Sequence, residues 1–422
     1  MNRSISRREF LRAAVKSPFA VGWPSRMPRM AFAPSGQAAR GDVLVVVFLR
    51  GAADSLNMVV PYGEAAYYRQ RPTLSVPRPD DSRAKSEQRA VDLDGFFGLH
   101  PSMRSLLDAW QAEHLAIVHA CGAPDESRSH FKAMELMERG VGDEHGPASG
   151  WINRHLVSLN TGNPSPLRAV GLGERVPRSL RGAVPVTALR SIADFHLGGN
   201  LAAASRIQAV LSDMYQTTDP LGPVGEETLD ILDTLKALDP AGYQPAAGAS
   251  YPQSDFGASL RQVAMLVKAD VGLEVAAIDV GGWDTHFAQG ATEGLMPGLL
   301  TDLAEGLAAL HADLVDHLDD LTVVVMSEFG RRVPENASLG TDHGHGSALL
   351  LLGGGLKGGV VHGRWPGLEP EQLFGPGDLA VTTDYRDVLG EICAKRLNNP
   401  ALAEIFPGYQ VQATDIAISR RA

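Results

Sequence analysis

The chain has 422 residues, 44% hydrophobic and 21% charged, a balance that excludes a mainly disordered polymer. Its net charge of −11 is unevenly spread: residues 1–40 hold eight Arg/Lys against one acid, Glu9, while residues 41–422 hold 30 basic and 48 acidic side chains. An acidic body without a basic stripe argues against nucleic acid as a partner, because phosphate contacts need clustered Lys and Arg. No apolar run reaches the roughly 18–20 residues that cross a bilayer, so no transmembrane segment is expected.

The first element is an address. Ser6-Arg7-Arg8-Glu9-Phe10-Leu11-Arg12, then a mildly apolar stretch from Ala13 to Trp23, is the pattern of a twin-arginine export signal. Residues 1–40 are read as that signal, with Ala33 and Ala39 both suited to cleavage. Residues 41–422 are read as the exported body, passed by the twin-arginine machinery to the periplasm or beyond. Cys121 and Cys393 are too few for a disulfide framework; one bond or two buried thiols both fit.

Along the body, strands alternate with helices. Residues 43–49 (VLVVVFL) form a continuous, mostly β-branched apolar run, as in a strand buried on both faces. Helical periodicity covers 101–113, a strand follows at 115–119, a helix at 129–138 and a short strand at 168–172. Amphipathic helices are expected at 226–238 and 256–270, and strands at 274–280, 321–327 and 347–352. Long helices complete the pattern at 299–318 and 384–397. Polar, proline-bearing 72–87 and the Pro/Gly/Ala-rich 240–254 read as loops, the latter as an insertion. This alternation predicts an α/β three-layer sandwich around a mostly parallel sheet.

In such sheets ligands bind beyond the carboxyl ends of the strands, and here those ends are rich in metal-ligand residue types. The first strand runs into Arg50-Gly-Ala-Ala-Asp54-Ser-Leu-Asn57, and the strand at 274 into Gly281-Gly-Trp-Asp284-Thr-His286. The strand at 321 ends in Ser327-Glu328-Phe-Gly-Arg331, and Thr341-Asp342-His343-Gly-His345-Gly346 precedes the strand at 347. Carboxylates with imidazoles suit zinc, manganese or iron. Each motif also has a plain structural use: Asp54 as a cap, Asp284-x-His286 as an Asx turn, Glu328 as the ion-pair partner of Arg331. His343 and His345, two apart on the way into a strand, are expected to face one side and share a site.

Ser127-Arg128-Ser129-His130-Phe131 opens the helix at 129. Ser127 is suited to capping it, leaving Ser129 among free N–H groups as a candidate nucleophile. No Gly-x-Ser-x-Gly elbow lies between a strand and a helix, which disfavours a serine esterase. The Gly353–Gly358 run matches dinucleotide-loop spacing without the strand and helix that loop needs.

Taken together, the Asp54, Ser129, Asp284-x-His286, Glu328-Phe-Gly-Arg331 and His343-Gly-His345 motifs resemble the bacterial family called domain of unknown function 1501. That family is placed in the alkaline phosphatase and sulfatase superfamily, and the resemblance spans the body. It implies an alkaline-phosphatase-like fold and an exported, metal-dependent hydrolase of phosphate or related esters, small or polymeric. It implies one or two divalent metal ions on Asp54, Asp284, His286, Glu328 and His343 or His345. Ser129 or a metal-bound water would be the nucleophile, Arg128 or Arg331 would hold the anionic group, and Asp342 would orient a ligand histidine. Where the superfamily has Asp-His this chain has Glu328-Phe329, so one imidazole is missing from the expected set. A non-catalytic exported binding protein on the same fold is the alternative.

Overall fold

A computed structural model of the chain describes residues 41–173, 175–192, 210–214, 229, 231, 238 and 242–420. The twin-arginine segment and nearly all of the expected helix at 226–238 lie outside the described residues.

The first strand, β1 (Val43–Leu49), is buried along its whole length. It is followed by β2 (Leu115–Gly122), α1 (His130–Arg139), α2 (Trp151–Ser158), β3 (Ala169–Leu172) and β4 (Thr187–Leu189). Then come α3 (Asp255–Lys268), β5 (Val275–Val280), α4 (Leu295–Asp313), β6 (Leu321–Ser327) and a hairpin of β7 (Arg331–Glu335) and β8 (Thr341–His343). The chain closes with β9 (Ser347–Leu352), β10 (Val361–His362), β11 (Thr383–Asp384) and α5 (Tyr385–Lys395). The strand order of the nine-stranded central sheet is β10-β2-β9-β6-β1-β5-β3-β4, with β11 also on β2. Every pairing is parallel except those of β9, which runs antiparallel to both β2 and β6.

The strand period of two divides the core into two layers. Val43, Val45, Val47 and Leu49 point into the layer covered by α3 and α4, through Leu260, Val263, Leu300, Leu303 and Leu307. Leu44, Val46 and Phe48 point the other way, onto Trp151 and Ile152 of α2 and Val388, Leu389 and Ile392 of α5. Helices thus cover both faces of a mostly parallel sheet. Both cysteines end as free, buried thiols in the second layer.

The expected elements within the described residues fall close to their places, while α2, β4, β10 and β11 had no counterpart among the elements expected from sequence. The helical stretch at 101–113 begins as a tight 3-10 turn, Pro101–Leu106, because His100 Nδ1 takes the Ser102 N–H and Pro101 supplies none. The β7–β8 hairpin was not anticipated; Gly330 and Gly344 bracket it, and it projects from the carboxyl end of β6. Among the described residues no helix is long and apolar enough to cross a membrane.

Parallel pairing puts the carboxyl ends of β1, β5 and β6 in register, Leu49 opposite both Val280 and Ser327. The antiparallel β9 starts at the same edge, with Ser347 opposite Cys121. The loops carrying Asp54, Asp284, Glu328 and His343 therefore all leave one edge of the sheet.

Candidate metal centre

Arg331 ties these loops together. Its buried guanidinium donates to the carbonyls of Gly51, Ala52, Trp283 and Thr341 at 2.5–3.1 Å and to Asp284 Oδ1 at 2.5 Å. The fit leaves no slack. Gly51 sits at φ +120°, and a Cβ there would lie 2.5 Å from the Asp284 nitrogen. Gly340 lets the hairpin pass His286, where a Cβ would stand 2.4 Å from its backbone.

On this frame three imidazoles meet one carboxylate. Asp284 Oδ1 lies 3.1 Å from His286 Nε2, 3.2 Å from His343 Nε2 and 3.5 Å from His130 Nε2. Potential ligand atoms of His130, Asp284 and His343 lie within 4.8 Å of one another, and His286 joins at the edge, its Nε2 2.8 Å from that of His343. The opposite ring nitrogens all face oxygens. His130 Nδ1 donates to Glu328 Oε1 at 2.7 Å, His343 Nδ1 to the Arg128 carbonyl at 3.0 Å, and His286 Nδ1 lies 3.5 Å from Asp342 Oδ1. An imidazole whose Nδ1 carries the proton toward an acceptor presents its Nε2 lone pair on the other side, the usual arrangement of a metal-binding histidine. His130 Nε2 is buried and has no hydrogen-bond partner among the described residues.

The electrostatics follow the contacts. Burial pushes the Asp284 carboxyl up, but the hydrogen bond and the charge of Arg331, with His343 and His286 close by, outweigh it and bring it to about 2. The Glu328 hydrogen bond raises His130 against the effect of its burial. Burial lowers His343 and outweighs the pull of Asp284. Tetrahedral bonds of about 2.0–2.1 Å, as zinc makes to nitrogen, separate ligand atoms by about 3.3 Å. The distances to Asp284 Oδ1 bracket that value, so His130, Asp284 and His343 suit a cation of the zinc, manganese or iron type, while His286 Nε2, 2.8 Å from that of His343, stands closer than two ligand atoms would.

The structure sorts the residues expected from sequence. Asp284, His286 and His343 are in the cluster. Glu328 stands behind it: one oxygen takes His130 Nδ1 and the Gly51 N–H, the other the Ser327 hydroxyl. Asp342 stands behind His286 and accepts from Asn336. Glu328 is thus behind the cluster and not in it, and three further residues stand elsewhere than expected. Asp54 is wholly buried and is not with the cluster, because Arg71 grips both its oxygens at 2.6 and 3.0 Å and Gln289 adds a third bond. His345 is apart from His343 because β8 ends at His343 and the Gly344 bend breaks the alternation; its ring stacks on Phe374. Arg331 is fully buried with its donors spent within the chain, so it does not reach for a substrate.

Ser129 is exposed, precedes the first residue of α1 and makes no side-chain cap bond; Ser127 Oγ instead accepts from the Ser129 N–H. Arg128, beside them, is partly exposed and donates to buried Asp378. His130 was not among the residues expected from sequence, although the absent imidazole at Phe329 was a signal for one elsewhere. The Phe329 ring stacks on His130 at 5.1 Å, so the imidazole reaches the centre from the helix start.

A histidine–carboxylate cluster at the carboxyl ends of a mostly parallel sheet defines an α/β protein with a candidate metal centre. The chain belongs to the family described as "Protein of unknown function (DUF1501)", whose model matches residues 42–394. No curated protein matches it. Among solved structures it is similar to the C-terminal periplasmic domain of EptC from Escherichia coli in complex with Zn, at 8% identity over 78% of this chain and 77% of that one, TM-score 0.28. It is also similar to Thermus thermophilus alkaline phosphatase, at 12% identity over 72% of this chain and 64% of that one, TM-score 0.29. Likenesses this distant establish no activity.

Proposed function

We propose that the chain is an exported metal-dependent hydrolase of phosphate or related esters, with one divalent cation on His130, Asp284, His286 and His343. The supporting observation is the convergence of three Nε2 atoms on Asp284 Oδ1, each ring turned by an oxygen behind it. A divalent cation held there would supply Lewis-acid polarisation of an ester oxygen and would favour ionisation of a nearby hydroxyl or water.

The chain's own residues do the rest. Half of the Asp284 side chain is open to solvent, which leaves the centre an approach, as in catalytic rather than closed structural sites. Arg128, held by Asp378, offers its guanidinium to an anionic group. Ser129 places an exposed hydroxyl that makes no cap bond at the positive end of α1, where an attacking oxygen is stabilised. The burial of Asp54 with Arg71 removes the first-strand ligand of a second cation, which favours one metal. The same observation favours the alternative, an exported binding protein with a structural cation.

Elemental analysis of the exported protein tests the reading. About one equivalent of metal, lost in His130→Ala and Asp284→Ala, supports the centre; no metal in the folded wild type refutes it. Turnover of phosphate or sulfate esters, absent in a metal-replete Ser129→Ala, separates the hydrolase from the binder.

A further inference from the structure

The two most exposed large apolar side chains among the described residues are Phe131, 86% exposed, and Phe287, 74% exposed. Each directly follows a histidine of the cluster, His130 and His286. A third, Leu339, more than half exposed, lies in the β7–β8 loop. That loop is tied to the segment carrying Phe287: Ala288 N–H donates to the Ser338 carbonyl at 3.0 Å and Gln289 N–H to the Leu339 carbonyl at 2.9 Å. Scattered surface hydrophobics are ordinary. Here two phenylalanines are fixed one residue from imidazoles whose rings lie 4.2 and 4.5 Å from that of His343.

We infer that this site takes an amphiphile: an anionic ester whose charged group enters the histidine cluster and whose alkyl chain lies on Phe131 and Phe287. The inference rests on the hydrolase reading above and names its substrate class. A compact polar ester would leave both rings in water, whereas an alkyl chain removes apolar surface from water on both partners. Charge complements the other end, because Arg128 precedes this helix and keeps part of its guanidinium in solvent. A second copy of the chain suits the surface less well. It would have to cover Lys132, next to Phe131, together with the half-exposed Asp284, His286 and Asp342, and charged groups are depleted at interface centres.

Calorimetry on the mature, zinc-loaded protein tests this with inorganic phosphate and with octyl phosphate below its micelle concentration. Octyl phosphate is expected to bind at least tenfold more tightly than phosphate, and phosphate to displace it. In Phe131→Ser/Phe287→Ser the zinc content and phosphate affinity should persist while the octyl advantage falls below threefold. Equal affinities in the wild type, or an advantage the double variant keeps, overturn the inference and leave the hydrolase reading standing. So does octyl phosphate that binds Asp284→Ala as tightly and resists phosphate. A dimer in light scattering that dissociates in the double variant assigns the rim to a second copy and also overturns it. If neither ligand binds the zinc-loaded wild type, the hydrolase reading falls and takes the inference with it.

Discussion

Glu328 Oε1 accepts a hydrogen bond from His130 Nδ1 at 2.7 Å, joining the residue after β6 to the first residue of α1. That bond sets which nitrogen of His130 faces Asp284. The carboxylate is itself held: Gly51 N–H donates to the same oxygen at 2.9 Å, and the Ser327 hydroxyl, shared with the Leu49 carbonyl, lies 2.9 Å from the other. Glu328 therefore positions His130, where the sequence suggested a metal ligand.

Glu328→Ala should weaken metal binding by about 10–100-fold, the usual effect of losing the acceptor behind a ligand histidine. Glu328→Gln keeps an acceptor and should recover part of the loss. Chelator competition on the folded variants measures both. Unchanged affinity in Glu328→Ala would remove Glu328 from the site.

Asp54 makes the opposite case. It and Arg71 are wholly buried, and Arg71 also donates to Asn57 and to the carbonyls of Arg332 and Val333. Asp54→Ala strands a buried guanidinium and should cost about 3–5 kcal/mol in urea unfolding. Its metal content should match the wild type wherever it remains folded. Metal loss at unchanged stability would restore Asp54 to the ligand set.

These two carboxylates show what the sequence could and could not reveal. The buried strands at 43–49, 321–327 and 347–352 were legible because a continuous apolar run has few other uses in a soluble fold. Asp284, His286 and His343 were legible because parallel strand ends gather their loops at one edge. Asp54 looked equivalent, because its difference lies in Arg71 and Gln289, partners brought to it only by the folded chain. His345 looked paired with His343 because alternation was extended through Gly344, where the strand has already ended. His130 was hidden by its neighbours: at a helix start, the serines beside it have capping and nucleophilic uses that a histidine there does not advertise.

Acid should unfold this protein through three histidines away from the metal centre. Burial lowers His100, His119 and His155 to about 4. His119 Nδ1 accepts from the Ala120 N–H at 2.9 Å and its Nε2 donates to the Val59 carbonyl at 3.1 Å, so a second proton would face a donor. His100 Nδ1 accepts from the Ser102 N–H, and His155 Nδ1 from the Asn399 amide. Each folded pKa lies below the unfolded value near 6.5, so between the two the unfolded state binds more protons and stability falls as pH falls. From these groups unfolding should take up about three protons near pH 5, a slope of about 4 kcal/mol per pH unit. Urea midpoints measured from pH 7.5 to 5 check it; a flat profile down to pH 5 would contradict the buried neutral state.

Arg331 yields the sharpest contrast between structure and sequence. Read as a substrate-holding residue, it predicts that Arg331→Lys raises KM and leaves stability alone. The structure predicts the reverse emphasis. A lysine has three donors on one nitrogen and cannot span four carbonyls and Asp284 from a fully buried position. Leaving two or more of those acceptors unsatisfied at about 1–3 kcal/mol each should lower stability by at least about 2 kcal/mol. Asp284 also loses the partner that fixes it, so metal affinity should fall even in the folded fraction. Urea unfolding with chelator competition distinguishes the two readings: a variant as stable as the wild type, with intact metal and a raised KM, would return Arg331 to the substrate.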